Sequence, residues 1–427
     1  MSKQKKQIPE LRFPEFKNEG EWEEKSLNKV VTDFIVPMRD KPKDLSGNVP
    51  WCRIEDFNGM YLSGSKSNQG VSLETIKEMN LKVYPINTLL VSCSADLGRC
   101  AITQKPLVTN QTFIGLVPDV KKVNTVYLYY VMTNSSKELN ARSSGTTISY
   151  LSRQQFEKFE IWLPNTKEQQ KIASCLSSLD DLIEDHNQKL DLLKDHKKGL
   201  MQNFFPQEGE KVPKLRFKEF EKDGEWVTRT IGDFIKTHKG GAPLTPSDFV
   251  TKSEFEVIPK KAIGEGMWLN VENSIYCSEE FYKLNRQSVI DSNYLITTLR
   301  DLVPSGPNIG YIVKYKSEKE YILAQGVYGL KLKDNLFPDF LIHFSNTNKY
   351  RKLVNSIMVG STQVHIRNGE FFNIPLTIPV NFKEQQKIAS CLSSLDALIT
   401  AQAEKIDQLK QHKKGLMQGL FPKIETI

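Results

Sequence analysis

The 427-residue chain is predicted to fold as a mixed α/β (α+β) tandem duplication, with two globular domains joined and spaced by two long antiparallel coiled-coil helices under a pseudo-twofold. Three observations predict this. The string KEQQKIASCLSSLD occurs twice, at Lys167–Asp180 and Lys383–Asp396, and an internal repeat sets the architecture ahead of any local reading. The identity runs on without a gap through Lys167–Pro206 and Lys383–Pro422, where 29 of 40 positions agree. Upstream, PELRFPEF at Pro9–Phe16 matches PKLRFKEF at Pro213–Phe220, and Gly-Glu-Trp follows each.

These matches divide the chain into a first globular domain (1–166), a central helix (167–205), a second globular domain (206–382) and a C-terminal helix (383–421). The upstream offset is 204 and the later one 216, so the second copy has gained twelve residues between them. The opening MSKQKKQIPE has basic residues with no apolar stretch behind them. It therefore reads as a short disordered tail and not as a signal peptide.

The helices declare themselves by period. Ile172, Leu176, Leu179, Ile183, Leu190, Leu193 and Leu200 alternate steps of four and three once His186 and Lys197 are included. Ile388, Leu392, Leu395, Ile399, Ile406, Leu409 and Leu416 keep the same register with Gln402 and Lys413. Such an a/d seam needs a facing helix, and prolines at 206 and 422 stop each run. The simplest partner for one seam is the other copy. From Ile172 to Leu200 the seam advances 28 residues, about 42 Å at 1.5 Å per residue.

The globular parts carry strand-like runs in matching order. INTLLVSCS (Ile86–Ser94) and SNYLITTLR (Ser292–Arg300) each lead into a loop, ADLGR and DLVPSGPNIG. NQTFIGLV (Asn110–Val117) and AQGVYGLKL (Ala324–Leu332) follow, then SGTTISYLS (Ser144–Ser152) and GSTQVHIR (Gly360–Arg367). FEIWLP and IPLTIP close the two domains. One skeleton with two different sets of loops is the informative fact.

Composition narrows the function. No apolar run approaches the length of a membrane span. The six cysteines include no C-x-x-C pair, so reduced thiols are expected and a metal site is not. The chain holds no phosphate loop, no G-x-S-x-G, no H-E-x-x-H and no adjacent prolines of an amino-methyltransferase motif. Its six histidines are scattered. A binding protein is expected, with no catalytic residue and no metal ligand. The formal charge is +7, and the two helical tails contribute only +1 of it, from twelve Lys and eleven Asp/Glu. Basic loops beside Ser, Thr, Asn and Gln suit nucleic acid, where Lys and Arg meet phosphates while Arg, Asn and Gln read base edges.

The LRF..F...GEW openings, the G-[ST]-T loops ahead of the last strands and KEQQKIASCLSSLD…HKKGLMQ…FP together resemble the specificity (S) subunit of type I restriction-modification systems. The resemblance covers nearly the whole chain, in both repeats. It implies that each globular part is a target-recognition domain reading one half of a bipartite double-stranded DNA site. The paired helices would space the two domains and dock two modification (methyltransferase) subunits, which bind S-adenosylmethionine. A separate restriction (translocase/nuclease) subunit would use ATP and magnesium, and this chain would bind no cofactor. A cytoplasmic location is implied.

The DNA-facing residues are expected in the polar loops after the aligned strands. In the first domain these are Arg99 with Gly145, Thr146, Thr147 and Ile148; in the second, Arg300 and Asn308 with Gly360, Ser361, Thr362 and Gln363. The first loop has Ile148 where the second has Gln363. Two rival classes remain at this point: a scaffold that presents two domains to other proteins, and a single-chain restriction-methylation enzyme. Salt-sensitive duplex binding separates the first rival, and methyl transfer by the chain alone separates the second.

Overall fold

The computed structural model describes residues 6–38, 40–94, 96–142, 151–270 and 273–422. The chain forms two compact units, residues 1–187 with 404–427 and residues 188–403. Each unit therefore holds one globular domain, the first half of one long helix and the second half of the other.

In the first unit a five-stranded sheet has the order Val31–Ile35, Phe113–Pro118, Leu89–Ser92, Cys100–Thr103, Tyr61–Leu62. In the second unit the order is Ile235–Gly240, Val327–Leu332, Leu295–Thr298, Ile312–Val313. Leu89–Ser92 and Leu295–Thr298 are buried along their whole length, which is why each reads as an unbroken apolar run and not as an alternating one. Their registers coincide. Phe113 pairs with Ser92 and Val91 with Cys100 in one sheet, while Val327 pairs with Thr298 and Thr297 with Ile312 in the other. Ser92 and Thr298 are thus equivalent positions, and so are Cys100 and Ile312.

The long helices run Thr166–Phe204 and Phe382–Leu420. A side-chain oxygen caps each start: Asn165 Oδ1 accepts from Glu168 N at 2.9 Å, and Asn381 Oδ1 from Lys383 N at 3.1 Å. Within the first unit, Ile172, Ala173 and Leu176 share a core with Leu420 and Phe421, and Asp180 pairs with Lys413. Within the second, Ile388, Ala389 and Leu392 share a core with Phe204 and Phe205, and Asp396 pairs with Lys197 at 2.5 Å. Residue numbers rise on one helix as they fall on the other, so the helices pack antiparallel. None of the seam residues is exposed: Ile172, Leu176, Ile183, Ile388, Leu392, Ile406 and Leu409 are buried, and Leu179, Leu190, Leu193, Leu200, Leu395, Ile399 and Leu416 half-buried.

The repeated motifs prove to be locked to one another. Arg12 of the first opening grips Glu168 of the first helix through two 2.8 Å hydrogen bonds, with both side chains nearly inaccessible at 6% and 1%. Arg216 grips Glu384 in the same way, at 8% and 0%. Each arginine also donates to a glycine carbonyl, Gly20 or Gly224. A planar guanidinium matched to a carboxylate is the geometry in which such a pair is strong. The next residue anchors as well. Gln169 donates to Pro164 O and accepts from Asn124 N, and Gln385 donates to Pro379 O and accepts from Phe337 N. Much of the duplicated text thus holds each helix to its own domain. Leu11 N donates to Gly419 O and Leu215 N to Asn203 O, so each opening segment also meets the end of a long helix.

Candidate nucleic-acid interface

In the second unit, the strand Leu295–Thr298 runs out at one end of the sheet into Arg300. Thr298 Oγ1 accepts from Arg300 N at 3.4 Å and donates to Arg300 O at 2.9 Å, which turns the chain sharply after the buried strand. Arg300–Asp301 then pairs antiparallel with Val364–His365, placing Arg300 opposite His365. The Gly360–Gln363 segment is the exposed tip of the hairpin that Val359 and His365 close through two backbone hydrogen bonds. Gly360 adopts a φ of +121°, and a Cβ there would lie 2.1 Å from Gln363 O, so the turn requires glycine.

Asp301 organises the loop that follows. Its Oδ1 accepts from Val303 N at 3.2 Å and its Oδ2 from Asn308 N at 3.4 Å. Asn308 is half-buried beside Gly264. The sequence-predicted residues of this unit therefore share one end of the sheet: Arg300 in a two-stranded ribbon, the Gly360–Gln363 tip on its partner strand, and Asn308 on the intervening loop.

A residue that sequence reasoning missed joins them. Gly326 is closely approached by both Arg300 and Lys260; a Cβ on it would lie 3.0 Å from Arg300 Cβ and 3.4 Å from Lys260 Cδ. Lys260 and Lys261 begin a short 3-10 turn after the strand Glu256–Ile258, which runs parallel to Tyr321–Leu323. That parallel pairing brings Lys260 to Arg300 across forty residues of chain. The only local signal was a Lys-Lys pair after a strand-like run. Among the described residues neither Arg300 nor Lys260 forms an ion pair. Two unneutralised cations side by side suit an anionic or hydrogen-bond-accepting ligand.

The first unit places its residues differently. Ser92 Oγ donates to Ser94 O at 2.7 Å, just as Thr298 donates to Arg300 O, so Ser94 stands where the other unit has Arg300. Gly98 N donates to Ser92 O and Gly310 N to Thr298 O, which makes Arg99 the counterpart of Tyr311. Arg99 lies at the start of the return strand, where its Nη2 donates to Phe57 O at 2.9 Å and its Nη1 sits 3.6 Å from Asp96. Ile54 and Glu55 occupy the positions of Lys260 and Lys261. Gly145, Thr146, Thr147 and Ile148 lie outside the described residues. The chain that follows them returns to the sheet as its counterpart does, with Leu151 N donating to Cys93 O as Ile366 N does to Leu299 O.

Behind the sheets, the helix ion pairs meet different neighbours. Tyr130 donates to Asp180 Oδ2 at 2.6 Å in the first unit. In the second, His343 holds the matching place, with its Nε2 3.0 Å from Ser393 Oγ and its Nδ1 4.0 Å from Asp396 Oδ2. Burial, reinforced by the charges of Lys197 and Lys314, outweighs a hydrogen bond to the Ala389 backbone and lowers the His343 pKa to about 3.

No group of three or more His, Cys, Asp or Glu placed to hold a metal ion occurs among the described residues, and no helix among them is long and apolar enough to cross a membrane. Residues 19–195 and 223–411 match the family described as the type I restriction modification DNA specificity domain. The type I restriction enzyme MjaVIII specificity subunit of Methanocaldococcus jannaschii is 24% identical over 419 residues, covering 95% of this chain and 96% of its own. The MjaIX specificity subunit of the same organism is 27% identical over 310 residues, covering 66% and 70%. Among solved structures, the S subunit of a type I restriction-modification system from M. genitalium shares the fold, with a TM-score of 0.60 at 16% identity over 98% of this chain and 100% of that one.

Proposed function

The chain belongs to the type I restriction-modification DNA specificity family, and from that membership we propose that each of its repeats reads one half of a bipartite DNA target. A specificity subunit recognises DNA and leaves catalysis to other subunits. The observation that carries the bipartite reading is one sheet register built twice with different residues at its end: Arg300 and Lys260 in one unit, Ser94 and Ile54 in the other. Two readers that share a skeleton and differ at the tip are what two unlike half-sites require.

The helices serve the partners in this reading. Ser174, Ser178 and Leu182 are exposed and recur as exposed Ser390, Ser394 and Leu398, on the outward side of each helix. A repeated outward face fits two copies of one partner, the modification subunits, which would carry S-adenosylmethionine. The restriction subunits would bring ATP and magnesium. The complex would work in the cytoplasm, where its DNA lies.

Equilibrium binding of target duplex by the assembled complex tests the reading. With about six phosphate contacts, affinity falls roughly 1,000-fold between 50 and 200 mM salt. Absence of salt-sensitive, sequence-selective duplex binding would restore the protein-scaffold reading.

A further inference from the structure

We propose that Leu302 and Val303 are specificity-determining residues that contact thymine C5-methyl groups in the half-site read by the second repeat, an inference that rests on the DNA-reading function above. Both are large apolar side chains held out in solvent, 62% and 50% exposed. Their loop is not slack. Asp301 accepts the Val303 and Asn308 N–H groups, Gly306 N donates to Val303 O at 2.9 Å, and Ile309 N donates to Gly306 O at 3.2 Å. Beyond the tip the fully buried Ile309 and the Gly310 N bond to Thr298 O, at 2.9 Å, tie the loop back into the core. A turn braced by its own aspartate presents two apolar groups that it does nothing to bury.

The surroundings select the ligand. The tip springs from Arg300 and Asp301; the Asp301 carboxylate accepts from backbone N–H groups of its own loop, and among the described residues neither Arg300 nor Lys260 forms an ion pair. Exposed Ser361, Thr362 and Gln363 project from the hairpin whose strand pairs with Arg300. The DNA major groove is a surface that offers guanine acceptors, adenine donor–acceptor pairs and the thymine methyl side by side. A minor-groove ligand would present no methyl. Among the described residues of the first repeat's shorter loop, Asp96 is exposed and Leu97 is buried to 3%.

The test uses the full chain assembled with its modification subunits, on the duplex defined by methylation mapping. Each thymine of the second half-site is replaced in turn by deoxyuridine, which removes only the methyl group. The unmodified complex should bind about fourfold less tightly at one or two of these positions, the effect of one methyl leaving an apolar contact. A Leu302→Ala/Val303→Ala variant should bind thymine-containing DNA less tightly and no longer distinguish thymine from deoxyuridine there. Deoxyuridine in the first half-site should affect both proteins equally. An unmodified complex indifferent to every deoxyuridine in the second half-site would overturn the proposal without any variant. A variant that keeps the full discrimination would overturn it too. If the unmodified complex shows no sequence-selective duplex binding at all, the DNA-reading function itself has failed.

Discussion

The two recognition regions agree where they grip their helices and part where their sheets end. Arg12 and Arg216 make the same bidentate bonds to Glu168 and Glu384. The four strands that the two sheets have in common share order and register. At the sheet end that follows Ser92 and Thr298, the resemblance stops. Ser94 is the structural counterpart of Arg300, and Ile54-Glu55 replaces Lys260-Lys261. The loop to the next strand is six residues longer in the second region, since Ser92 to Gly98 spans six positions and Thr298 to Gly310 spans twelve. The difference teaches where constraint lies. Residues that attach a reader to its strut cannot vary independently, because a buried charge tolerates no change in its partner. Residues at the loop end of the sheet are free to diverge.

Breaking the shared lock should give the largest effect. Arg216→Ala leaves the Glu384 carboxylate buried without a cation, and Arg12→Ala does the same to Glu168; each should destabilise its own unit by about 3–5 kcal/mol. Hydrogen exchange resolved by unit would show it, and the two losses should match. A loss in one unit only would mean that the likeness of the two locks is superficial.

Next comes the divergent end. Arg300→Ala should weaken target binding by about 1–3 kcal/mol and relax one base position, in the half-site read by the second region alone. Arg99→Ala, removing a side chain already engaged with Phe57 O and Asp96, should leave the methylation pattern unchanged. Relaxation of the other half-site by Arg99→Ala would place that residue in the interface.

The smallest effect separates Tyr130 from His343. A histidine whose pKa falls to about 3 on folding, from about 6.5 unfolded, contributes stability that is fully present above pH 6.5 and is lost as pH falls through the window from 6.5 to 3. At pH 5.5 the loss should be about 1.4 kcal/mol, confined to the second unit. Denaturation at pH 7.5 and 5.5 would measure it, and His343→Tyr, which installs the first unit's residue, should abolish the difference.

The sequence carried the duplication and the helix seam in plain view, because identity and a heptad period are both local signals. It did not reveal that LRF and KEQQ touch. Arg12 and Glu168 stand 156 residues apart, and only the packed domain brings them together. Loop register was equally hidden. Arg99 ends the loop ADLGR and Arg300 the strand-like run SNYLITTLR, and the ladder pairing assigns Ser94 to Arg300 and Tyr311 to Arg99. Unequal loops conceal such equivalences until the hydrogen bonds are traced. Lys260 reached the site through a parallel strand pair, a long-range event with no periodic signature.

The central claim is that each repeat reads its own half-site. Replacing residues 213–382 by residues 9–166 while keeping both long helices would give the chain two copies of one reader. Methylation mapping in a cell that carries the complete system would then report the target. The account predicts an inverted repeat of the half-site assigned to the first region, because two identical readers would meet the two antiparallel strands alike. An unchanged asymmetric target from a folded, methylating complex would contradict it.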